Sequence, residues 1–161
     1  MVKGAVLVSG GGTNLQALID AQAAGKLGCG EISLVVSSNS KAYALTRAAN
    51  AGIESAVVRR KDYASGEEYD LALAKTLKDK GIELVVLGGF LSILGPKFID
   101  AYRDRIINIH PSLIPSFCGD GFYGLKVHEA ALEKGVKVTG ATVHFVNEIC
   151  DGGKIILQKA V

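Results

Sequence analysis

Short, continuous apolar segments alternate with helical patterns along most of the 161-residue chain. Residues 3–8 form the first apolar segment. Three later segments are similarly short and apolar: residues 32–36, Leu84–Leu87 and Ile106–His110. Hydrophobicity that is continuous rather than alternating indicates strands covered on both faces. Helical patterns such as residues 67–80 lie between these segments and supply the covering layers. The sequence therefore predicts an α/β fold with a Rossmann-like, mostly parallel sheet and helices on both faces.

The pattern changes after Pro111. A loop rich in glycine, proline and serine runs to residue 125, and a short helical pattern covers residues 128–133. Two apolar runs follow, over residues 138–146 and 155–157, with glycines in the connection. A connection of this kind favours an antiparallel pair added to the edge of the sheet. Because no repeat or linker divides the sequence, we predict a single domain over residues 1–161.

Charge and cysteine content exclude several classes of partner. The formal net charge is only +2, too little for an electrostatic grip on nucleic acid. No apolar run approaches the ~20 residues of a membrane span, and the N-terminal residues lack the features of a signal peptide. These patterns predict a cytoplasmic protein without nucleic-acid or membrane partners. The three cysteines share no Cys-x-x-Cys pair, so neither a disulfide framework nor a metal site is expected.

A glycine-rich segment joins the first predicted strand to the first predicted helix. It reads Ser-Gly-Gly-Gly-Thr-Asn over residues 9–14. Backbone N–H groups at a helix start bind anions well, and Asn14 is a candidate helix cap. The segment departs from the dinucleotide fingerprint, because Leu15 stands where the third glycine belongs, and it lacks the lysine of a P-loop. We therefore expect a small phosphate monoester here, with a simple connecting turn as the alternative.

Asn108 and His110 are two residues apart on a predicted strand, just before Pro111. Residues at this spacing share one face of a strand. An amide and a protonated imidazole together suit an oxygen that gains negative charge. Ser112 lacks the Gly-x-Ser-x-Gly context of a nucleophile, and Cys118 has no local signature of activation.

Asp151 precedes two glycines, so its loop is predicted to fold tightly. A carboxylate beside His110 would favour the imidazolium form. The alternative for Asp151 is a turn residue, because Asp-Gly is a common turn dipeptide. We expect His144 to orient its neighbours through hydrogen bonds, and His128 to lie at the surface or cap a helix.

Five segments together resemble the phosphoribosylglycinamide formyltransferases, folate-dependent enzymes of purine synthesis. They are Gly-Gly-Thr-Asn-Leu-Gln (11–16), Gly-Phe-Leu-Ser-Ile-Leu (89–94), Asn-Ile-His-Pro-Ser (108–112), Thr-Gly-Ala-Thr-Val-His-Phe-Val (139–146) and Asp-Gly-Gly (151–153). The resemblance extends from the first strand to the end of the chain. It implies one formyltransferase domain that lacks the family's C-terminal segment.

The resemblance also implies roles for individual residues. Gly12, Thr13 and Asn14 would hold the phosphate of the ribotide. Asn108, His110 and Asp151 would be catalytic, with His110 as proton donor and Asp151 promoting its protonated state. The folate pocket would be lined by Leu91, Ser92, Ile93, Leu94 and Asn108.

The implied reaction moves a formyl group from 10-formyltetrahydrofolate to the amine of glycinamide ribonucleotide (GAR), without a metal. The partners would be these two small molecules, and homodimerisation is left open. A basic residue common in the family near Ser65–Glu67 is missing here, and Arg59, Arg60 or Lys61 are candidates to replace it. The main alternative is a formyltetrahydrofolate deformylase, in which water is the acceptor. A non-catalytic phosphate-binding module ranks lower.

Overall fold

The first of two compact units covers Met1–Ile106 in a computed structural model that describes all residues, 1–161. Its four strands are parallel and lie in the order β3-β2-β1-β4. Helix α1 packs on α2, and α3 packs on α4. The elements are β1 (Val2–Val8), α1 (Thr13–Ala23), β2 (Gly30–Ser37), α2 (Tyr43–Asn50), β3 (Glu54–Val57), α3 (Gly66–Asp79), β4 (Leu84–Leu87) and α4 (Pro96–Ala101), with a 3₁₀ turn at Arg60–Asp62.

The core of the first unit explains the continuous hydrophobicity of its central strands. Val6 and Val8 of β1 and Val35 of β2 are fully or almost fully buried, as are neighbours of opposite orientation such as Leu7. Residues pointing to both faces of a strand are buried only when both faces are covered. Leu15 of α1 completes the cluster around Val6 and Val8.

A buried carboxylate on α3 caps the start of α4. Asp70 accepts a hydrogen bond from the Gly95 amide at 3.0 Å and one from the Phe98 amide at 3.4 Å. The first amides of a helix have no partner within it, and Gly95, which precedes α4, has no side chain to supply one. A Cβ atom on Gly95 would overlap the Asp70 carboxylate. The pair therefore fixes α4 against α3.

The second unit covers Ile107–Val161. Its strands are antiparallel, with β6 paired to β5 on one side and to β7 on the other. The elements are β5 (Ile106–His110), α5 (Leu125–Lys134), β6 (Gly140–Phe145) and β7 (Ile155–Ala160).

The parallel strands of the first unit, the antiparallel strands of the second and the helices between them confirm the predicted fold class. Helix α5 begins at Leu125 rather than at His128, because Gly124, with a φ of 55°, ends the preceding loop there. His128 is therefore an exposed residue inside the helix, which confirms the predicted surface position and not the capping role. None of the helices combines the length and hydropathy that a membrane crossing requires. The single domain stays a prediction.

Candidate active site

The pairing of β5 with β6 assembles the predicted strand-end residues. Asn108 lies opposite His144, and His110 lies opposite Thr142. Since alternate residues share a face, these four side chains line one side of the two strands. Asn108 Nδ2 lies 3.4 Å from His144 Nε2. The expected common face of Asn108 and His110 is thus present, and His144 lies within hydrogen-bond distance of Asn108.

Asp151 reaches both imidazoles from the connection between β6 and β7. One carboxylate oxygen, Oδ2, lies 3.6 Å from His110 Nδ1, and the other, Oδ1, lies 3.6 Å from His144 Nε2. The side chains of His110, His144 and Asp151 are 5%, 2% and 9% exposed. A carboxylate bridges two almost buried rings, an arrangement in which water screens the charge weakly.

The hydrogen-bond partners distinguish the two histidines. His110 Nε2 lies 2.8 Å from the carbonyl oxygen of Phe117, so both of its ring nitrogens face acceptors. Only the imidazolium form supplies two N–H donors. His144 Nδ1 lies 2.8 Å from the Phe145 carbonyl oxygen, and its Nε2 lies 3.4 Å from Asn108 Nδ2 and 3.6 Å from Asp151 Oδ1. Both rings thus face one carboxylate and one backbone carbonyl, and the contact with Asn108 distinguishes His144 from His110.

The loop after β5 is tied to β6 through Thr142. Its hydroxyl donates to the Ser112 carbonyl at 2.7 Å and accepts from the Ile114 amide at 3.1 Å. Ser112 is fully buried and donates to the Ser116 carbonyl at 2.5 Å, so it is committed to the loop and not poised as a nucleophile. The sequence analysis missed Thr142, although its place two residues before His144 puts it on the face of the site.

Two glycines allow the Asp151 loop to fold back on β6. Cβ atoms on Gly152 and Gly153 would collide with Ile149 and with the Phe145 carbonyl respectively. Asp151 itself has a φ of 52° and accepts a hydrogen bond from the Gly119 amide at 2.9 Å. The tight loop expected from the Asp-Gly-Gly sequence is present, and it directs the Asp151 carboxylate towards His110 and His144.

Two free thiols flank this carboxylate. Burial, and then the negative charge of Asp151, raise the pKa of the Cys118 thiol. The same two causes, in the same order, head those that raise the pKa of Cys150. Raised pKa values reduce the thiolate fraction at neutral pH. Neither cysteine is set up as a nucleophile.

In the glycine-rich loop of the first unit, backbone N–H groups are free while backbone carbonyls are hydrogen-bonded. The Gly10 carbonyl accepts from the Ala44 amide at 3.1 Å, and the Gly11 carbonyl accepts from Arg47 Nε at 2.8 Å. The amides of residues 10–14 make no hydrogen bond within the chain. Free amides at a helix start are the geometry of an anion site.

Gly12 fixes where this helix starts. It is the N-cap of α1, with a φ of 74°, and its carbonyl accepts the first helical hydrogen bond from the Gln16 amide. A Cβ atom there would lie 2.6 Å from Cβ of Ala44. Because the helix begins at Thr13, Asn14 lies in its first turn and makes no side-chain cap. The prediction that Asn14 caps the helix is wrong.

The predicted folate segment also belongs to the first unit. Leu91 and Ile93 are 67% and 89% exposed. The Leu91 amide donates to Ser9 Oγ at 2.8 Å, and Ser9 Oγ lies 2.6 Å from Ser38 Oγ. The backbone of the segment is thus anchored while large apolar side chains remain available to a ligand.

No group of three or more His, Cys, Asp or Glu side chains is arranged to hold a metal ion.

Comparison with known proteins assigns the chain to a family. Over residues 2–161 the sequence matches the family described as formyl transferase. It is 44% identical, over 161 residues, to the phosphoribosylglycinamide formyltransferase of Haemophilus influenzae, and this match covers 100% of the chain and 73% of that protein. The crystal structure of glycinamide ribonucleotide transformylase 1 from Symbiobacterium toebii superimposes with a TM-score of 0.92 at 43% identity, covering 100% of the chain and 73% of that structure.

Some relatives are much longer. The chain is 46% identical over 158 residues to the trifunctional purine biosynthetic protein adenosine-3 of Drosophila melanogaster, and the match covers 98% of this chain and 11% of that protein. In that relative, the matched region is one part of a larger polypeptide.

Proposed function

Because the chain belongs to the formyl transferase family, we propose that it transfers a formyl group from 10-formyltetrahydrofolate to the amine of GAR. The observation that carries this proposal is the set of partners around His110. A carboxylate and a backbone carbonyl face its two ring nitrogens, so the residue suits a proton donor. The names of relatives that match nearly the whole chain point to the same reaction.

Asn108 and His110 act on the formyl oxygen. The GAR amine attacks the formyl carbon, and the electron pair of the C=O bond moves to oxygen. The Asn108 amide and the His110 imidazolium donate hydrogen bonds to that oxyanion. Donors already in place where charge develops are typically a large contribution to catalysis.

Asp151 and His110 then handle the proton. Collapse of the tetrahedral intermediate breaks the bond between the formyl carbon and N10 of the folate. The attacking amine loses a proton, and the departing nitrogen gains one. Asp151, held by the Gly119 amide and both histidines, stabilises the charged ring and assists this transfer.

His110 donates to substrate only after an exchange. Its Nε2 already donates to the Phe117 carbonyl. The formyl oxygen therefore displaces that carbonyl, or the loop carrying Phe117 shifts when substrate binds. Phe117 has a φ of 49°, a conformation that costs energy for a residue other than glycine, which favours such a shift.

The two substrates would be held by segments of the first unit. We assign the phosphate of GAR to the free amides of Gly12, Thr13 and Asn14. We assign the ring of the folate to Leu91, Ser92, Ile93 and Leu94. Exposed apolar side chains and an anchored backbone suit a flat heterocycle.

Release of tetrahydrofolate tests the proposal. The purified protein is incubated with 10-formyltetrahydrofolate in the presence and in the absence of GAR, and formylated GAR and formate are quantified. We expect release that depends on GAR and matches formylated product one to one. Release of formate without GAR would identify a deformylase, and absence of turnover under both conditions would leave only a binding role.

A further inference from the structure

The side-chain amide of Gln158 makes two contacts in the second unit that the proposed reaction does not explain. Gln158 lies on β7, opposite Thr142 of β6. Its Nε2 donates to the Ile114 carbonyl and to Thr142 Oγ1, each at 3.0 Å. No other side chain of β7 makes a hydrogen bond or an ion pair. Gln158 is therefore the side chain through which β7 holds the loop after β5.

The Thr142 hydroxyl determines which end of the Gln158 amide must face it. A hydroxyl has one hydrogen and two lone pairs. The hydrogen is donated to the Ser112 carbonyl, and one lone pair accepts from the Ile114 amide. The second lone pair can be satisfied only by a donor, and the Ile114 carbonyl likewise requires a donor. Both contacts of Gln158 therefore need N–H groups, which its amide supplies and a carboxylate of the same shape would not.

The loop held in this way continues to His110. The hydroxyl of Ser112 donates to the Ser116 carbonyl, and it also lies 3.4 Å from the Phe117 carbonyl oxygen. That oxygen lies 2.8 Å from His110 Nε2. A series of hydrogen bonds therefore connects Gln158, on an exposed strand, with the ring of a buried histidine.

We propose that Gln158 is a positioning residue for His110, acting through the loop of residues 112–117. The inference rests on the proposed function and adds to it a residue outside the substrate sites. The proposed reaction requires the formyl oxygen to replace the Phe117 carbonyl at His110, and the carbonyl to return afterwards. Gln158 fixes the start of the loop at Ile114, so the exchange is confined to the part that carries Phe117. Catalytic groups keep a productive geometry when neighbouring hydrogen bonds hold them.

Variants of Gln158 that differ in their donors test this role. Gln158→Glu has nearly the same shape without an N–H group, and Gln158→Met has a similar length without polarity. For both we expect kcat of formyl transfer to fall by about tenfold, while KM for each substrate stays within about twofold. Gln158→Lys restores N–H donors and should bring kcat to within about threefold of normal. A thermal melt establishes that each variant is folded.

Lys159→Gln is the matched control. Lys159 is the next residue of β7 and is exposed, and consecutive side chains of a strand point to opposite faces. Its kcat should equal that of the unaltered protein. A normal kcat in Gln158→Glu or in Gln158→Met would overturn the proposal. A raised KM with a normal kcat would also overturn it, and would assign Gln158 to substrate binding.

Chemical modification of His110 separates this inference from the reaction. Diethyl pyrocarbonate acylates imidazole nitrogens, and the His110 side chain is only 5% exposed. Peptide mass spectrometry compares its rate of modification with that of His128, which is exposed in the same sample. We expect this ratio to rise by about fivefold or more in Gln158→Glu and to stay unchanged in Gln158→Lys.

The modification result is informative whether or not the protein transfers formyl groups. A raised ratio in Gln158→Glu would support the role of Gln158 even in the absence of turnover. An unchanged ratio in that variant would refute the role even if formyl transfer were demonstrated.

Discussion

Oδ2 of Asp151 lies 3.6 Å from Nδ1 of His110, while the other nitrogen of the same ring donates to a backbone carbonyl. His144 has the same two kinds of neighbour, the Asp151 carboxylate and a backbone carbonyl. His144 differs in a further contact, a distance of 3.4 Å between its Nε2 and Nδ2 of Asn108. One carboxylate thus contacts two buried rings that differ in their remaining neighbours.

Replacing His110 should abolish most of the turnover. We expect His110→Ala to lower kcat by about a hundredfold or more, because it removes both a proton donor and an oxyanion contact. His128→Ala is the matched control, since that histidine is exposed on α5, and its rate should equal that of the unaltered protein. Steady-state kinetics beside a thermal melt distinguishes lost chemistry from lost folding. A kcat within twofold or so of normal would remove His110 from the mechanism.

Asp151→Asn should change the chemistry of two neighbouring thiols as well as the rate of formyl transfer. The Asp151 carboxylate, second to burial, raises the pKa of both Cys118 and Cys150. Without that charge both pKa values should fall, so a larger thiolate fraction is present at any given pH. Alkylation by iodoacetamide, followed by peptide mass spectrometry, should then reach its half-maximal rate at lower pH.

Cys29 provides the internal reference for this measurement. It is exposed and belongs to the first unit, so its pH profile should be the same in both proteins. Profiles of Cys118 and Cys150 that also stay the same would mean that Asp151 carries no charge beside them.

Gly153→Ala should misplace Asp151 without touching it. The added Cβ would overlap the Phe145 carbonyl, which is backbone and has no room to yield. We expect the loop to move, kcat to fall by about tenfold or more, and stability to fall by about 1–3 kcal/mol. Gly10→Ala, where a Cβ would meet no atom within 4 Å, should leave the melting temperature unchanged. Normal turnover in the Gly153 variant would show that the loop tolerates the displacement.

Asp70→Ala tests the cap between α3 and α4. It leaves the Gly95 and Phe98 amides without their side-chain acceptor, which should lower the free energy of unfolding by about 2–3 kcal/mol. Asp79→Ala on the same helix removes only an exposed partner of Lys75, at an expected cost below about 1 kcal/mol. Urea denaturation measures both. Equal costs would contradict a special role for the buried carboxylate.

The sequence predicted those parts of the structure that have a periodic pattern of residues. Continuous apolar runs predicted β1 and β4, and a spacing of two residues predicted the common face of Asn108 and His110. Asp151 was found through the glycines that follow it, since they indicated a tight loop. Its contact with His144 had no such signal, because that contact depends on the antiparallel register of β5 and β6.

Features that rest on backbone groups were not predictable from residue types. Nothing in the sequence indicates that the Phe117 carbonyl binds His110, because every residue has a carbonyl. The start of α1 was misplaced for a similar reason. A left-handed conformation at Gly12 begins the helix before Asn14, so an asparagine with good capping chemistry lies in the wrong position to cap.

The carbonyls of Gly10 and Gly11 are bonded to α2, so the loop turns a surface of one polarity towards solvent. A ligand that approached the backbone of this loop would meet N–H donors and not carbonyl oxygens. The main-chain atoms of this loop therefore favour an anion over a cation. Changing the side chains of Thr13 or Asn14 would leave this preference of the backbone in place.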